Sequence, residues 1–400
     1  MLSILHTFSI YLCIAFCFIT VFSSTTKAEG LPLLIGLSAD LSSGSAKSGM
    51  AIRRGVQLAL DEVNRAGGVL GRPLKLHELD HRGNPQRGIE HIRQLSKLPD
   101  LVAVMGGLHT PVALQQLPMI KKKNLLFLLP WAAGTPLVDN GLKPNPVFRI
   151  SVRDADAGPY LVEKMMERGF RRPALLLERT AWGRSNRRAM LMAMARLGIE
   201  PVSIRWFLWG SREFSTQLQE IRKVHADVIL MVANAPEGSA ITRAMAELPK
   251  EERLPILSHW GITGGRFYQQ SADVLDQVDL QFLQTFSFLN PPFEGRATKL
   301  AHAYRNRYGL ASSDPIPAPV GTAHAYDLTH LLAKAISQAG DSQVSAVRQA
   351  LESLERHEGV VKNYIPPFTP TQRDALESQD YQLAVFGKNG AIIPVERTYE

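Results

Sequence analysis

The sequence predicts an α/β fold with parallel sheets. Strand-like apolar runs alternate with helical patterns along most of the chain. One continuous segment shows the repeating unit: apolar residues recur at helical spacing over 52–63, Gly67 and Gly68 end that helix, and a strand follows at 74–79. An apolar strand at 33–37 precedes this helix. The resulting β-α-β unit favours a right-handed crossover and parallel pairing.

Further strands are expected beyond this unit. They are predicted at 102–105, 125–129, 147–150, 174–177, 202–207, 228–232 and 256–258, with helical patterns between them. The chain has 400 residues, of which 45% are hydrophobic. Single cores stop growing at about 250 to 300 residues. Two domains are therefore expected.

Residues 1–28 are typical of a secretory signal peptide. They contain no acidic residue, an apolar stretch over 8–22 and a cleavage site after Ala28. A membrane anchor is the alternative, but it needs about 20 apolar residues. Both cysteines, Cys13 and Cys17, lie in this segment, so the mature chain is predicted to lack disulfides and thiol chemistry. Each cysteine follows a bulky residue, which disfavours lipid attachment.

Charge and motifs argue against nucleic-acid binding and catalysis. The formal charge is +8, but Lys and Arg are spread along helices, and no basic stripe interleaved with aromatic residues is present. The 11 histidines show no H-E-x-x-H spacing, and there is no G-x-S-x-G or nucleotide-binding loop. We expect no catalytic residues, no metal, no cofactor and no nucleic-acid partner.

The segment 61–72 resembles a motif of a known family. It reads DEVNRAGGVLGR. This is similar to the end of the first long helix in type I periplasmic solute-binding proteins of the leucine/isoleucine/valine-binding family. Further resemblances follow in the same order at 102–110, 125–136, 147–159 and 174–183.

The resemblance implies two doubly wound parallel-sheet lobes joined by three crossover segments. Strand 147–150 would be one crossing, with the others near 290–292 and 359–367. Lobe 1 is then expected to contain residues 29–150 and about 295–356, and lobe 2 residues 151–294 and about 357–400. Ligands of such sheets bind at the carboxyl ends of the strands, so the two lobes are expected to face a shared cleft.

Lobe 1 offers candidate ligand residues in its strand-to-helix loops. The loop 106–110 opens a helix, whose free N–H groups favour an anion. In the family this position supplies a hydroxyl to the ligand's α-carboxylate, a role that Thr110, or His109 beside it, could take here. The alternative is that Thr110 only caps the helix 111–121. Ser48, in the first strand-to-helix loop, is a candidate helix cap or ligand contact.

Two tryptophans are candidates for opposite walls of the cleft. Trp131, Ala132 and Ala133 stand in a loop that in the family holds both ends of an amino acid. Trp131 replaces the family's small residue, so we expect it either to cover the ligand's apolar part or to shrink the pocket. Trp182 stands where relatives carry an aromatic, usually Tyr, across the ligand. Packing in the core is the alternative for both.

The remaining candidates belong to lobe 2. Asp279 lies near the position of a family acidic residue that pairs with the ligand's α-ammonium, and a surface carboxylate is the alternative. Asn234, Glu237 and Trp260 follow predicted strands and are further candidates.

The function implied by the resemblance is reversible solute capture. A monomeric periplasmic receptor would bind an amino acid or a related small amide or carboxylate between its lobes and present the closed form to a membrane permease. In one alternative the same fold signals through a membrane sensor. In another the cleft is degenerate and the protein is an interaction module.

The signal-peptide prediction is testable by intact-mass analysis of the exported protein. We expect a mature chain that begins at Glu29, because cleavage is predicted after Ala28. A chain that still begins at Met1, or a lipid-modified Cys17, would contradict it.

Overall fold

The computed structural model describes residues 30–395, and two separate sheets organise this part of the chain. The predicted signal peptide lies outside the described residues. Between residues 30 and 395, none of the helices combines the length and apolar character needed to cross a bilayer.

The first sheet contains five parallel strands: β1 (Leu33–Ala39), β2 (Leu74–Asp80), β3 (Leu101–Gly106), β4 (Phe127–Leu129) and β5 (Val147–Arg149). Their order is β2-β1-β3-β4-β5. Helices α1 (Ala46–Arg65), α2 (Pro85–Leu95) and α3 (Thr110–Lys122) connect them. Because the strands run parallel, the loops into α1 and α3 open at the same edge of the sheet.

The family-like motif folds as a helix, a turn and a strand. Asn64 on α1 donates its Nδ2–H to the Leu74 carbonyl at 2.9 Å and accepts the Leu74 N–H at 2.8 Å, which fixes the start of β2. Gly67, Gly68 and Gly71 have φ angles of 103°, 75° and 71°. Side chains disfavour these angles, so glycine is needed for this turn.

The second sheet is built around β6 (Pro173–Glu178), β7 (Ser203–Phe207), β8 (Val228–Val232), β9 (Ile256–Ser258) and β10 (Leu280–Gln284), which pair in parallel. The helices of this part are α4 (Asp154–Glu167), α5 (Ala181–Arg196), α6 (Ser215–Lys223), α7 (Ala235–Ala246) and α8 (Phe267–Ser271). Every strand that the sequence predicted is present, with its ends shifted by at most two residues. β10 was not predicted.

The chain then returns to the first sheet through α9 (Glu294–Tyr308), α10 (Pro319–Ala339) and α11 (Val344–Ser353), followed by a hairpin of β11 (His357–Glu358) and β12 (Asn363–Tyr364). Asp327 on α10 accepts the N–H groups of Val360 and Val361 at 2.8 and 3.0 Å, and the Tyr364 hydroxyl at 2.9 Å. A buried carboxylate on α10 thus holds residues 360–364 beside this helix, within the segment where the third crossing is predicted.

The second sheet ends with two strands that the sequence analysis missed. They are β13 (Gln382–Phe386) and β14 (Ile392–Pro394), and the full order is β14-β13-β10-β9-β8-β6-β7. Both added pairings are antiparallel. The second sheet is therefore parallel from β7 to β10 and antiparallel at the β13–β14 edge. A short loop joins β13 to β14, and such a loop can connect antiparallel strands only.

Close packing of α1 on α10 gives a stability prediction. A Cβ built on Gly55 would lie 2.2 Å from the Thr322 carbonyl oxygen, so Gly55→Ala must push the two helices apart. We expect a loss of about 1–3 kcal/mol in the free energy of unfolding, measured by denaturant titration.

Gly295→Ala is the matched control, because nothing lies within 4 Å of a Cβ at that exposed position on α9. It should have no destabilising effect, since Ala has the higher helix propensity. Equal losses in the two variants would contradict the packing argument.

Candidate functional site

A small cavity lies between the lobes at the carboxyl ends of the strands. Little space remains between its walls, and the lobes touch each other around it. Lys47 of α1, for example, donates to Gln269 of α8 at 2.5 Å. The cavity is lined by Leu108, His109, Thr110, Pro111, Trp131, Ala133, Trp182, Asn234, Trp260 and Gly261. Both lobes therefore contribute side chains to one closed cleft.

The start of α3 forms part of the lobe 1 wall. His109 occupies the N-cap position without a capping side-chain bond, and its Nε2 lies 3.2 Å from the Ser45 hydroxyl. Burial lowers the pKa of His109 to about 4, so the ring is neutral at neutral pH. Thr110 is the first helical residue, and its hydroxyl accepts the Gly134 N–H at 3.1 Å. The prediction that Thr110 caps this helix is therefore wrong, because the hydroxyl binds the neighbouring loop.

Three tryptophans form the aromatic walls. Trp131 of lobe 1 and Trp260 of lobe 2 approach with ring centroids 5.6 Å apart. Trp182, in the first turn of α5, contacts the His259 ring edge-to-face at 5.0 Å. His259 in turn lies 6.1 Å from the Trp260 ring. All three indoles are almost fully buried in this closed arrangement.

The loop after β4 is fixed by Arg149 on β5. The Arg149 Nη1 donates to the carbonyl oxygens of Ala132 and Gly134 at 3.3 and 3.0 Å, and its Nε forms a buried ion pair with Asp374. The loop that carries Trp131 therefore depends on a buried charge. Ala132 is held by this contact and does not line the cavity, whereas Ala133 does.

Two buried carboxylates lie behind the lobe 2 wall. Glu178, at the end of β6, accepts the Nδ2–H of Asn234 at 2.8 Å. Glu237, in the first turn of α7, accepts the Gly210 N–H at 2.7 Å. Burial, together with the charge of Glu237, raises the pKa of Glu178 to about 7. Burial also raises the pKa of Glu237.

A third buried carboxyl group lies behind Trp182. Asp154 at the start of α4 faces His259, with its Oδ1 3.3 Å from the ring Nε2. Both side chains are fully buried. Among residues 30–395 no group of three or more His, Cys, Asp and Glu side chains could hold a metal ion.

The structure brings seven of the predicted ligand residues together in the cavity wall and leaves Ser48, Ala132 and Asp279 outside it. His109, Thr110, Trp131, Ala133, Trp182, Asn234 and Trp260 all line the cavity. Ser48 lies inside the first turn of α1 rather than in a loop, and its hydroxyl donates to the Ser45 carbonyl at 2.6 Å. A Cβ on Gly264 of lobe 2 would lie 3.3 Å from the Ser48 Cβ, so Ser48 faces that lobe outside the cavity.

Asp279 is not part of this cleft. It precedes β10 and therefore lies at the amino end of that strand, opposite the edge where the cavity opens. Its carboxylate is partly exposed and forms an ion pair with Arg168. The expectation that Asp279 contacts the ligand is corrected by this placement.

Sequence reasoning missed Trp209 and Glu178. Trp209 follows β7, and its ring lies 4.9 Å from the ring of His109 on the other lobe, so it closes the rim of the cleft. Glu178 ends a strand of buried residues. The signal that could have revealed both is position, since each stands at the carboxyl end of a predicted strand.

Comparison with known proteins gives a family match over most of the chain. The family model described as periplasmic binding protein matches residues 32–390. The Leu/Ile/Val-binding protein BraC3 of Rhizobium johnstonii is 26% identical over 354 residues, which cover 88% of this chain and 90% of that protein. Such relatives are solute-binding proteins rather than enzymes.

Solved structures have the same fold. A type 1 periplasmic binding protein from Bordetella pertussis Tohama I superposes with a TM-score of 0.82 at 22% identity, over 91% of this chain and 100% of its own. LivJ from Streptococcus pneumoniae, in complex with isoleucine, gives 0.75 at 19% identity and the same coverage. A solute-binding protein from R. palustris, in complex with 4-hydroxybenzoate, gives 0.76 at 16%, over 92% and 96%.

The buried carboxyl of Glu178 predicts a pH-dependent cost in stability. Burial and the charge of Glu237 raise the pKa of Glu178 from 4.5 to about 7. Between these two pH values Glu178 is protonated in the native state and ionised in the unfolded state. Stability therefore falls as the pH rises from about 4.5 to 7. At about 1.4 kcal/mol per pKa unit, the full cost is about 3 kcal/mol above pH 7.

Glu178→Gln should raise the free energy of unfolding at pH 8 by up to about 3 kcal/mol and have little effect at pH 4.5. Urea titrations of both proteins at the two pH values measure this difference. Glu294→Gln, an exposed residue at the start of α9, is the control. A gain of the same size at both pH values would contradict the assignment.

Proposed function

This chain belongs to the periplasmic binding protein family, and on that premise we propose that it is the solute receptor of an ABC-type importer. It captures an amino acid or a related small amide or carboxylate in the cleft between the lobes. It then presents the closed form to a membrane permease. The predicted signal peptide delivers the protein to the periplasm.

The observation that carries this proposal is the cavity walled by both lobes. Trp131 and Trp260 meet across it, and Trp209 reaches over the rim to His109. A solute held there contacts both lobes at once. Because such contacts exist only in the closed form, binding favours closure by the difference in affinity between the two forms.

The polar groups support a ligand with two unlike ends. In lobe 1, the N-terminus of α3 and the Thr110 hydroxyl favour an anionic or carbonyl oxygen, although Pro111 removes one N–H donor from that turn. In lobe 2, the buried Oδ1 of Asn234 has no hydrogen-bond partner, and it can accept from a ligand donor. We therefore orient the oxygen end toward lobe 1 and the nitrogen end toward lobe 2.

A thermal-shift screen of the mature protein tests the proposal. Amino acids, amides, short-chain acids and polyamines form the library. A ligand at about 100 times its dissociation constant should stabilise the protein by about 2.7 kcal/mol. Mass spectrometry of the recovered ligand should show it unchanged at stoichiometric occupancy. Conversion of the ligand, or the absence of any stabilising solute, would contradict the proposal.

The membrane partner decides between transport and signalling. We expect the ligand-bound protein, cross-linked in envelope membranes, to recover permease subunits in larger amounts than the unliganded protein does. Recovery of a membrane sensor in place of a permease would favour the signalling role instead.

Trp182 gives the sharpest mutational prediction. Its side chain lines the cavity from lobe 2, and truncation of a desolvated aromatic anchor costs about 2 kcal/mol or more. Trp182→Ala should therefore weaken binding of the screened ligand by about 30-fold. Calorimetric titration measures the loss.

Trp182→Phe is the matched control and should retain most of the affinity, because the aromatic surface remains. Melting of the unliganded proteins should show a small difference only, because the proposed open form exposes this residue to water. Unaltered affinity in Trp182→Ala, or a loss confined to unliganded stability, would assign Trp182 to the core.

A further inference from the structure

The cavity has aromatic walls and no charged side chain. Three tryptophans line it together with His109, Thr110 and Asn234, and no Lys, Arg, Asp or Glu is among its lining residues. Burial keeps His109 neutral by lowering its pKa to about 4. The walls themselves therefore contribute π faces, neutral polar groups and aliphatic surface, but no charge.

Two buried carboxyl groups lie directly behind these walls. Glu178 is one side chain away from the cavity, through its 2.8 Å hydrogen bond with Asn234, and Glu237 is its neighbour. Each is 1% exposed. Among the described residues neither carboxylate forms a salt bridge. The exposed Arg212 acts on Glu237 through its charge alone. A cation in the cavity would favour the ionised form of these two carboxyl groups across a thin wall, and so create the charge that balances it.

Unpaired buried atoms also point to a ligand. The Asn234 Oδ1 has no partner and lies 3.1 Å from the place of a Cβ on Gly261, which itself lines the cavity. The Trp131 Nε1–H is buried without an acceptor. Buried polar groups are almost always hydrogen-bonded, so a ligand that supplies an oxygen to Trp131 satisfies a group that the protein leaves unpaired.

We propose that this cavity binds a small methylated ammonium ion, whose positive nitrogen contacts the indole rings while the buried Glu178 and Glu237 supply the opposing charge. The inference rests on the proposed function, because it takes this cleft as the solute site, and it narrows the solute class. Cages of aromatic rings recognise quaternary ammonium groups through the negative faces of the rings.

Methylation matters because the cavity offers few acceptors. A primary ammonium has three N–H donors to satisfy, whereas a quaternary nitrogen has none. No carboxylate lines this cavity, and the unpaired side-chain oxygen in its wall is that of Asn234. A desolvated primary ammonium would leave donors unpaired, whereas the methyl groups of a quaternary ammonium pack against the indoles and present polarised C–H groups to the Asn234 oxygen.

Calorimetric titration of the mature protein with matched probes tests the proposal. Choline is paired with its uncharged carbon isostere 3,3-dimethylbutan-1-ol, and glycine betaine with 3,3-dimethylbutanoate. Glycine and leucine are the primary-ammonium probes. We expect at least one methylated cation to bind at least tenfold more tightly than both its carbon isostere and the primary amino acids.

Variants then locate the source of the preference. In the double variant Glu178→Gln with Glu237→Gln, we expect the advantage of the cation over its isostere to fall at least fivefold while the isostere binds as before. The control Glu294→Gln removes the same kind of charge from an exposed helix start and should leave the advantage intact. The comparison of probes on the wild-type protein needs no variant, so a misfolded double variant would not remove the test.

The outcomes separate this inference from the proposed function. If leucine, a carbon isostere or another solute without a methylated nitrogen binds most tightly, the inference is overturned and the receptor role stands. If no amino acid, amide, acid, polyamine or methylated cation binds at all, the receptor role fails and the inference fails with it.

Discussion

The buried guanidinium of Arg149 is the interaction on which the arrangement of the cleft depends. It lies on β5, the last strand of the first sheet, and pairs with Asp374 from the distant C-terminal segment. The same group holds the carbonyl oxygens of Ala132 and Gly134. One side chain thus ties the loop that carries Trp131, strand β5 and the C-terminal segment together. Losing either charge would leave the other buried without a partner, which is far more costly than losing a surface ion pair.

The walls of the cleft combine apolar burial with polar groups that the protein alone does not satisfy. Trp131, Trp182 and Trp260 bury large surfaces, yet Asn234 keeps an unpaired oxygen and Glu178 a strongly raised pKa. Such groups lower the stability of the closed form. This cost matters for a receptor that closes around a solute. If the unliganded cleft were already fully closed, ligand binding could not shift the equilibrium between the open and closed forms.

Physical reasons separate the predictions that succeeded from those that failed. The strands and the segment around Asn64 were predictable because burial, helical spacing and glycine turns are local properties of the sequence. Trp131 and Trp182 line the cavity because each follows a strand at its carboxyl end, and their contact with a ligand stays a prediction. The prediction for Asp279 failed because this residue precedes β10 and therefore lies at the amino end of the strand, at the other edge of the sheet. Trp209 lay outside the resemblance, and only the contact between lobes reveals its place.

The sequence by itself determined the α/β class, the alternation of strands and helices, and the loops from which a cleft would be built. These follow from local periodicity and turn chemistry. The tertiary structure alone decided which loop residues meet. These loops are far apart in the sequence, and the distances between their side chains depend on how the two lobes pack against each other. It placed Glu178 behind Asn234, joined Arg149 to Asp374 and attached Val360 to α10. Desolvation of these groups, and hence their charge and pairing, exists only once the lobes and their helices have packed.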